Sequence, residues 1–149
     1  MKQLITLCLA VFFIAGMQNT QAQTKEETIS WIKEKLEKHG GWSGPNFNST
    51  YTNVKVSPCH ISFTDKYSDG SEKLHSFNPS TAKSWKVIRD STPGIEADAE
   101  IIRQVYSDGG IYNISVLFIR NGESDIHERM IKALLHLATF CEEGKNEAF

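Results

Sequence analysis

The chain has 149 residues, with 16 Lys+Arg against 18 Asp+Glu and a formal net charge of −2 at pH 7. That near balance excludes the basic footprint of a nucleic-acid binder or of a protein drawn to an anionic membrane surface. The length suits one domain with a single core.

Lys2 gives a positive start, Leu4 to Ala15 an apolar run, and Gly16 to Ala22 a more polar stretch ending in a small residue. This is the three-part pattern of a secretory signal peptide, with cleavage expected after Ala22 or Gln23. The run is too short to span a bilayer and no stop-transfer segment follows, so no stable membrane anchor is expected once it is removed. Cys8 lies inside the run and not at its end, which argues against a lipidated cysteine. The expected product is one exported domain, residues 23–149, secreted or periplasmic.

Thr24 to Lys38 reads as a helix. Thr24 and Glu27 have capping-box spacing, and Gly40 and Gly41 end the run. Ile29, Ile32 and Leu36 make only a narrow apolar stripe, so a surface lid is expected rather than a core helix. Gly40 to Asn48 is a loop by its Gly, Pro and Asn content. It carries Trp42 and Phe47, which either grip a ligand or plug the open end of a sheet.

Strands follow at Thr50 to Val56, His60 to Lys66 and Glu72 to Phe77. Asp69-Gly70 between the last two is a hairpin signal. Lys83 to Arg89 is a further short strand, ended by Ser91, Pro93 and Gly94. Glu100 to Tyr106 and Ile111 to Arg120 flank a second hairpin turn at Asp108-Gly109, and Tyr-Ser-Asp-Gly occurs at both turns. Ile114 to Ile119 is nearly all apolar, as expected of a strand buried on both faces. Asp125 to Cys141 is a one-sided amphipathic helix. Ile126, Met130, Ala133, Leu134, Leu137, Ala138, Phe140 and Cys141 share one half of the wheel. Ser124 or Asp125 is the expected N-cap, with Glu128 completing a box, and Gly144 the expected C-terminal stop.

The predicted fold class is α+β: an N-terminal helix, about six to seven antiparallel strands in hairpins forming a sandwich or roll, and a C-terminal amphipathic helix packed on the sheet. Export permits a disulfide between the two remaining cysteines, Cys59 and Cys141. Cys59 is expected to begin a strand on its core side, so that the bond staples the last helix to the sheet. The alternative is two buried free thiols.

No Gly-rich phosphate loop, Cys-x-x-Cys or Gly-x-Ser-x-Gly motif is present. His127 and His136 fall on opposite sides of the last helix. His60 is expected to approach His75 across the first hairpin, but two histidines alone make a poor zinc site. Cys59 and His60, as strand neighbours, point to opposite faces and cannot act as nucleophile and base. Glu96, Asp98 and Glu100 read as a solvated acidic loop. Asn48-Ser49-Thr50 and Asn113-Ile114-Ser115 match the glycosylation acceptor pattern. No metal, cofactor or catalytic residue is expected.

A short antiparallel sheet in hairpins closed by one C-terminal helix resembles the pleckstrin-homology-like domains. The likeness rests on element order across Tyr51 to Cys141 and on the helix from Arg129 to Leu137. The resemblance implies a sandwich plugged by the helix and serving as a binding scaffold. The first strand pair lacks the Lys/Arg cluster that would hold an inositol phosphate, so lipid headgroup recognition is not carried over. The expected function is therefore a non-catalytic exported domain that binds a protein, peptide or small ligand, with Trp42 and Phe47 as the binding residues. The alternative is a calycin-like carrier of an apolar molecule, or a hydrolase using His60 or His75.

Overall fold

The computed structural model describes residues 23–45, 47–89 and 93–143. The expected signal segment, Ser91 and the Gly144 cap lie outside them. Helix α1 (Lys25–His39) is followed by strands β1 (Ser49–Ser57), β2 (His60–Tyr67) and β3 (Glu72–Phe77), and by a 3-10 turn (Pro79–Thr81). Next come β4 (Trp85–Ile88), β5 (Gly94–Ala97), β6 (Ile102–Tyr106), β7 (Ile111–Ile114) and β8 (Val116–Phe118), and the chain closes with helix α2 (Ile126–Glu143). The strands form a five-stranded sheet, β1-β2-β3-β6-β7, and a three-stranded sheet, β4-β5-β8. Every pairing is antiparallel. The α+β class and the flanking helices are as the sequence predicts, with eight strands instead of six or seven.

The two extra strands have separate origins. Gly94–Ala97, read as a loop, pairs with β4, and Glu96 is bound there by Lys86 at 2.8 Å. The apolar run from Ile111 onward does not stay in one sheet. It breaks at Ser115, so that β7 pairs with β6 and β8 with β5. Leu117 and Ile119 are buried while Ile114, Val116 and Phe118 are only half-buried, which corrects the expectation of a strand covered on both faces.

Helix α1 is correctly capped, since Thr24 and Glu27 exchange both bonds of the box at 2.9 and 3.2 Å. It is not a surface lid. Ile32 and Leu36 are fully buried against β1, and Lys35 and His39 are buried too. Those two polar residues reach the core boundary because Glu123, from the loop before α2, receives Lys35 at 2.8 Å and His39 at 3.3 Å. A buried ammonium is tolerated only when it is paired in this way.

Helix α2 turns Ile126, Met130, Ala133, Leu134, Leu137 and Cys141 inward, as its periodicity predicts. Each fully buried Leu or Met is worth about 1.5–3 kcal/mol. It packs on α1, the 3-10 turn, β4 and β5. It therefore closes the small sheet, and α1 covers the first strand of the large one. Asp125 is left-handed (φ 56°) and so lacks the extended backbone of an N-cap. Glu128 bonds to Arg89 and not back to the helix start.

Cys59 and Cys141 are joined, with their Cα atoms 5.0 Å apart. Cys59 is not inside a strand. Pro58 and Cys59 form the two-residue turn between β1 and β2, where Ser57 faces His60. The bond thus ties a hairpin tip to the last turns of α2. His60, the first residue of β2, is exposed, whereas His75 is buried on the inner face. The two histidines lie on opposite sides of the sheet and do not meet.

Candidate functional site

The large sheet has an inner face of changing chemistry. Near the disulfide it is apolar: Ile61 pairs with Phe77, and Ile102 with Ile114. One step along, Phe63 pairs with His75, His75 with Gln104, and Gln104 with Tyr112. At the far end Tyr51 pairs with Asp65, Asp65 with Lys73, and Lys73 with Tyr106.

The two Tyr-Ser-Asp-Gly turns build this far end. In each, a glycine takes the left-handed backbone (φ 86° at Gly70, 88° at Gly109) that an L side chain resists. Each aspartate accepts the backbone N–H two residues on, Ser71 at 2.8 Å and Gly110 at 2.9 Å. The shared chemistry leaves a tyrosine at the end of β2 and of β6, with Lys73 of β3 between them. Lys73 Nζ lies 4.5 Å from the Tyr67 ring and 4.6 Å from the Tyr106 ring, and it donates to the Tyr67 hydroxyl at 3.1 Å.

The loop after α1 forms the opposite wall. Gly40 and Gly41 run between β8 and β1: Gly41 N donates to Phe118 O and Tyr51 N donates to Gly40 O. A Cβ at Gly40 would strike the Tyr51 ring, and one at Gly41 the Ser49 carbonyl. Trp42 is then pinned to Ser49 by two hydrogen bonds of 2.9 Å. Its indole stacks on Phe47 (5.7 Å, 17°) and meets Phe118 edge-on (5.1 Å, 83°), and Phe47 leans on Tyr67 at 6.0 Å.

Between these walls lies a groove of about 410 Å³, lined by Trp42, Phe47, Tyr67, Lys73, Gln104 and Phe118 among others. Its size falls within the range of small-molecule sites. The structure thus brings Trp42 and Phe47 together in one groove, with Phe47 44% exposed. Sequence reasoning missed Tyr67, Lys73, Gln104 and Phe118. The repeated turn carried a signal for Tyr67; Lys73 follows Gly70 by three residues, with nothing local to mark it as lying between two tyrosines.

Next to the groove, the inner face of the sheet is polar and incompletely satisfied. Asp65 is 1% exposed, and its Oδ1 has no hydrogen-bond partner among the described residues; neither have the buried Nε1 of Trp42 and, away from the groove, that of Trp85. Burial raises the Asp65 carboxyl above its ordinary range, against the opposing pull of the Ser49 and Tyr67 hydroxyls and the Lys73 charge. His75 stacks on Phe63 (4.9 Å, 14°). Burial, with a smaller push from Lys73, lowers its pKa to about 4, so it is neutral at pH 7. Its polar neighbours are Asp65 Oδ2 at 3.8 Å and Gln104 Nε2 at 3.5 Å. Among the described residues no hydroxyl or thiol is hydrogen-bonded to it. Burial also opposes the charge on Lys73, but the Tyr67 and Tyr106 hydroxyls outweigh that and leave its pKa raised.

A second groove, about 480 Å³, runs between the helices beside Trp31, Arg129, Lys132 and His136. There the indole face is already covered, with the Arg129 guanidinium 5.1 Å from the ring centre. No group of three His, Cys, Asp or Glu among the described residues is arranged to hold a metal ion. Asp98 accepts the Lys83 N–H at 3.0 Å, while Glu100 stands exposed at the rim of the first groove. No protein-family model, no curated protein and no solved structure matches this chain.

Proposed function

We propose that this chain is a non-catalytic exported domain that binds a ligand in the groove walled by Trp42 and Phe47. One observation carries the reading: Trp42 stacked on Phe47, with Phe118 edge-on, walls an open groove of about 410 Å³ whose lining also holds the Lys73 ammonium and the Gln104 amide. A concave site with aromatic walls and a few convergent polar groups is the usual form of a small-ligand pocket. The resemblance to pleckstrin-homology-like scaffolds supports the same class of function. The disulfide supports export, because such bonds persist in oxidising compartments.

The groove is tested by titrating labelled protein with 2-naphthol and following amide and indole resonances. Shifts confined to Trp42, Phe47, Tyr67 and Ile114 to Phe118, lost in the Trp42→Ala/Phe47→Ala double variant, are expected. Shifts elsewhere, or shifts that survive the double substitution, remove the assignment. Export is tested by mass spectrometry of the product from its native host, with an amino terminus at Gln23 or Thr24 expected.

A further inference from the structure

Resting on that reading of the groove, we propose that its ligand is an aromatic carboxylate, whose ring stacks among Trp42, Phe47 and Phe118 and whose anion meets Lys73 and Gln104. Lys73 is an unusual cation in this chain. Lys25, Lys33, Lys35, Lys38, Lys66 and Lys86 each have a carboxylate within 4 Å. Lys55, Lys83 and Lys132 have none among the described residues, but they are exposed and solvated. Lys73 is half-buried between two tyrosine rings and also has no carboxylate within ion-pair distance among the described residues.

Asp65, its neighbour on β2, is buried and drawn toward its neutral form, and Asp69 acts on it only through space from the exposed turn. The ammonium therefore keeps its charge among two tyrosine rings and their hydroxyls, with no carboxylate in ion-pair contact among the described residues. A partly desolvated cation of this kind gains most from an anion brought in from outside. Gln104 supplies a second donor beside it. Its amide is 7% exposed and lines the groove, and its Nε2 carries two hydrogens, one directed at His75 Nε2. A carboxylate, with two acceptor oxygens, can use both an ammonium and an amide. The walls complement the rest of the ligand. Flat apolar rings stack well on Trp42 and Phe47, and the edge-on Phe118 closes one side. Glu100, exposed at the rim, would repel a carboxylate placed near it, so the anion belongs at the Lys73 end.

The test compares 2-naphthoate, 2-naphthamide and 2-naphthol, titrated separately into the full chain. Naphthoate is expected to bind about tenfold tighter than naphthamide, the margin of one charge-assisted contact. Raising NaCl from 0.05 to 0.5 M should narrow that margin without weakening naphthamide. Lys73→Met should bring the two ligands within twofold of each other, Lys73→Arg should keep the margin, and Glu100→Gln should not reduce it. The salt series needs no variant, so a misfolded Lys73→Met would not leave the outcome open. Equal affinity for naphthoate and naphthamide, with groove resonances still shifting, overturns the carboxylate and leaves the groove standing. No groove shift with any of the three ligands overturns both.

Discussion

The two ends of the large sheet's inner face are built to opposite rules. At the disulfide end, Ile61, Phe77 and Ile102 are buried and apolar, and they fill the space they enclose. At the groove end Asp65, His75 and Gln104 are just as buried, yet they share long contacts and leave an oxygen unpartnered. Both ends lie on the same three central strands, so neither propensity nor topology separates them. Trp85, packed on Phe77 at the apolar end, also has an unpartnered Nε1, so the difference lies in how many buried polar side chains each end carries on the sheet itself.

The sharpest way to break that contrast is at the apolar end. Replacing both Cys59 and Cys141 with serine should cost about 4 kcal/mol, because the closed loop spans 82 residues, and urea denaturation would measure it. Ile102→Ala should cost about 2–4 kcal/mol by the same measurement. The groove end should show its character in pH. His75 is neutral when folded and holds a pKa of about 4, against an ordinary 6.5. The unfolded chain therefore takes up the proton first. The stabilising contribution is complete above about pH 6.5 and is lost as pH falls through 4, on the order of 3 kcal/mol. Denaturation midpoints at pH 7 and pH 4.5 would show it, and His75→Gln should flatten the slope. Asp65 acts in the reverse sense, since its raised pKa favours the fold as it protonates. Asp65→Asn should accordingly raise the urea midpoint at pH 7, with the gain shrinking as pH falls.

The smallest effect lies outside the sheet. Glu123, held down to about 2 first by Lys35 and further by His39 and Lys38, contributes stability above pH 4.5 that is lost as pH falls toward 2. Because this cluster sits partly in water, 0.5 M NaCl should weaken that contribution while leaving the buried His75 slope in place.

Much of the architecture is legible in the amino-acid sequence. The Asp-Gly turns, the capping box of α1 and the apolar face of α2 are local signals, and local geometry follows them. What stayed hidden depended on distant partners. The burial of α1 rests on Lys35 and His39 meeting Glu123 more than eighty residues away, and a polar residue advertises no such partner. β5 was masked by Pro93-Gly94 and its glutamate, which Lys86 neutralises from the neighbouring strand. The break at Ser115 leaves no trace in an apolar run that has no period. Trp42 and Phe47 were readable as two aromatics in a glycine-rich loop. Lys73 was not, because its significance comes from two tyrosines set by separate hairpins.

The bond between a hairpin tip and the last helix also has a mechanical consequence. The chain from Cys59 to Cys141 is a covalent ring, and a pull on the two ends of the protein passes through the sulfurs without loading the strands between them. At roughly 3.4 Å per residue, about 280 Å of extended chain stays out of reach of such a pull while the bond is intact. Only α1 and β1 can be peeled away. The groove's wall at Trp42 would therefore bear the tension, while its Lys73 and Gln104 side stayed unloaded inside the ring.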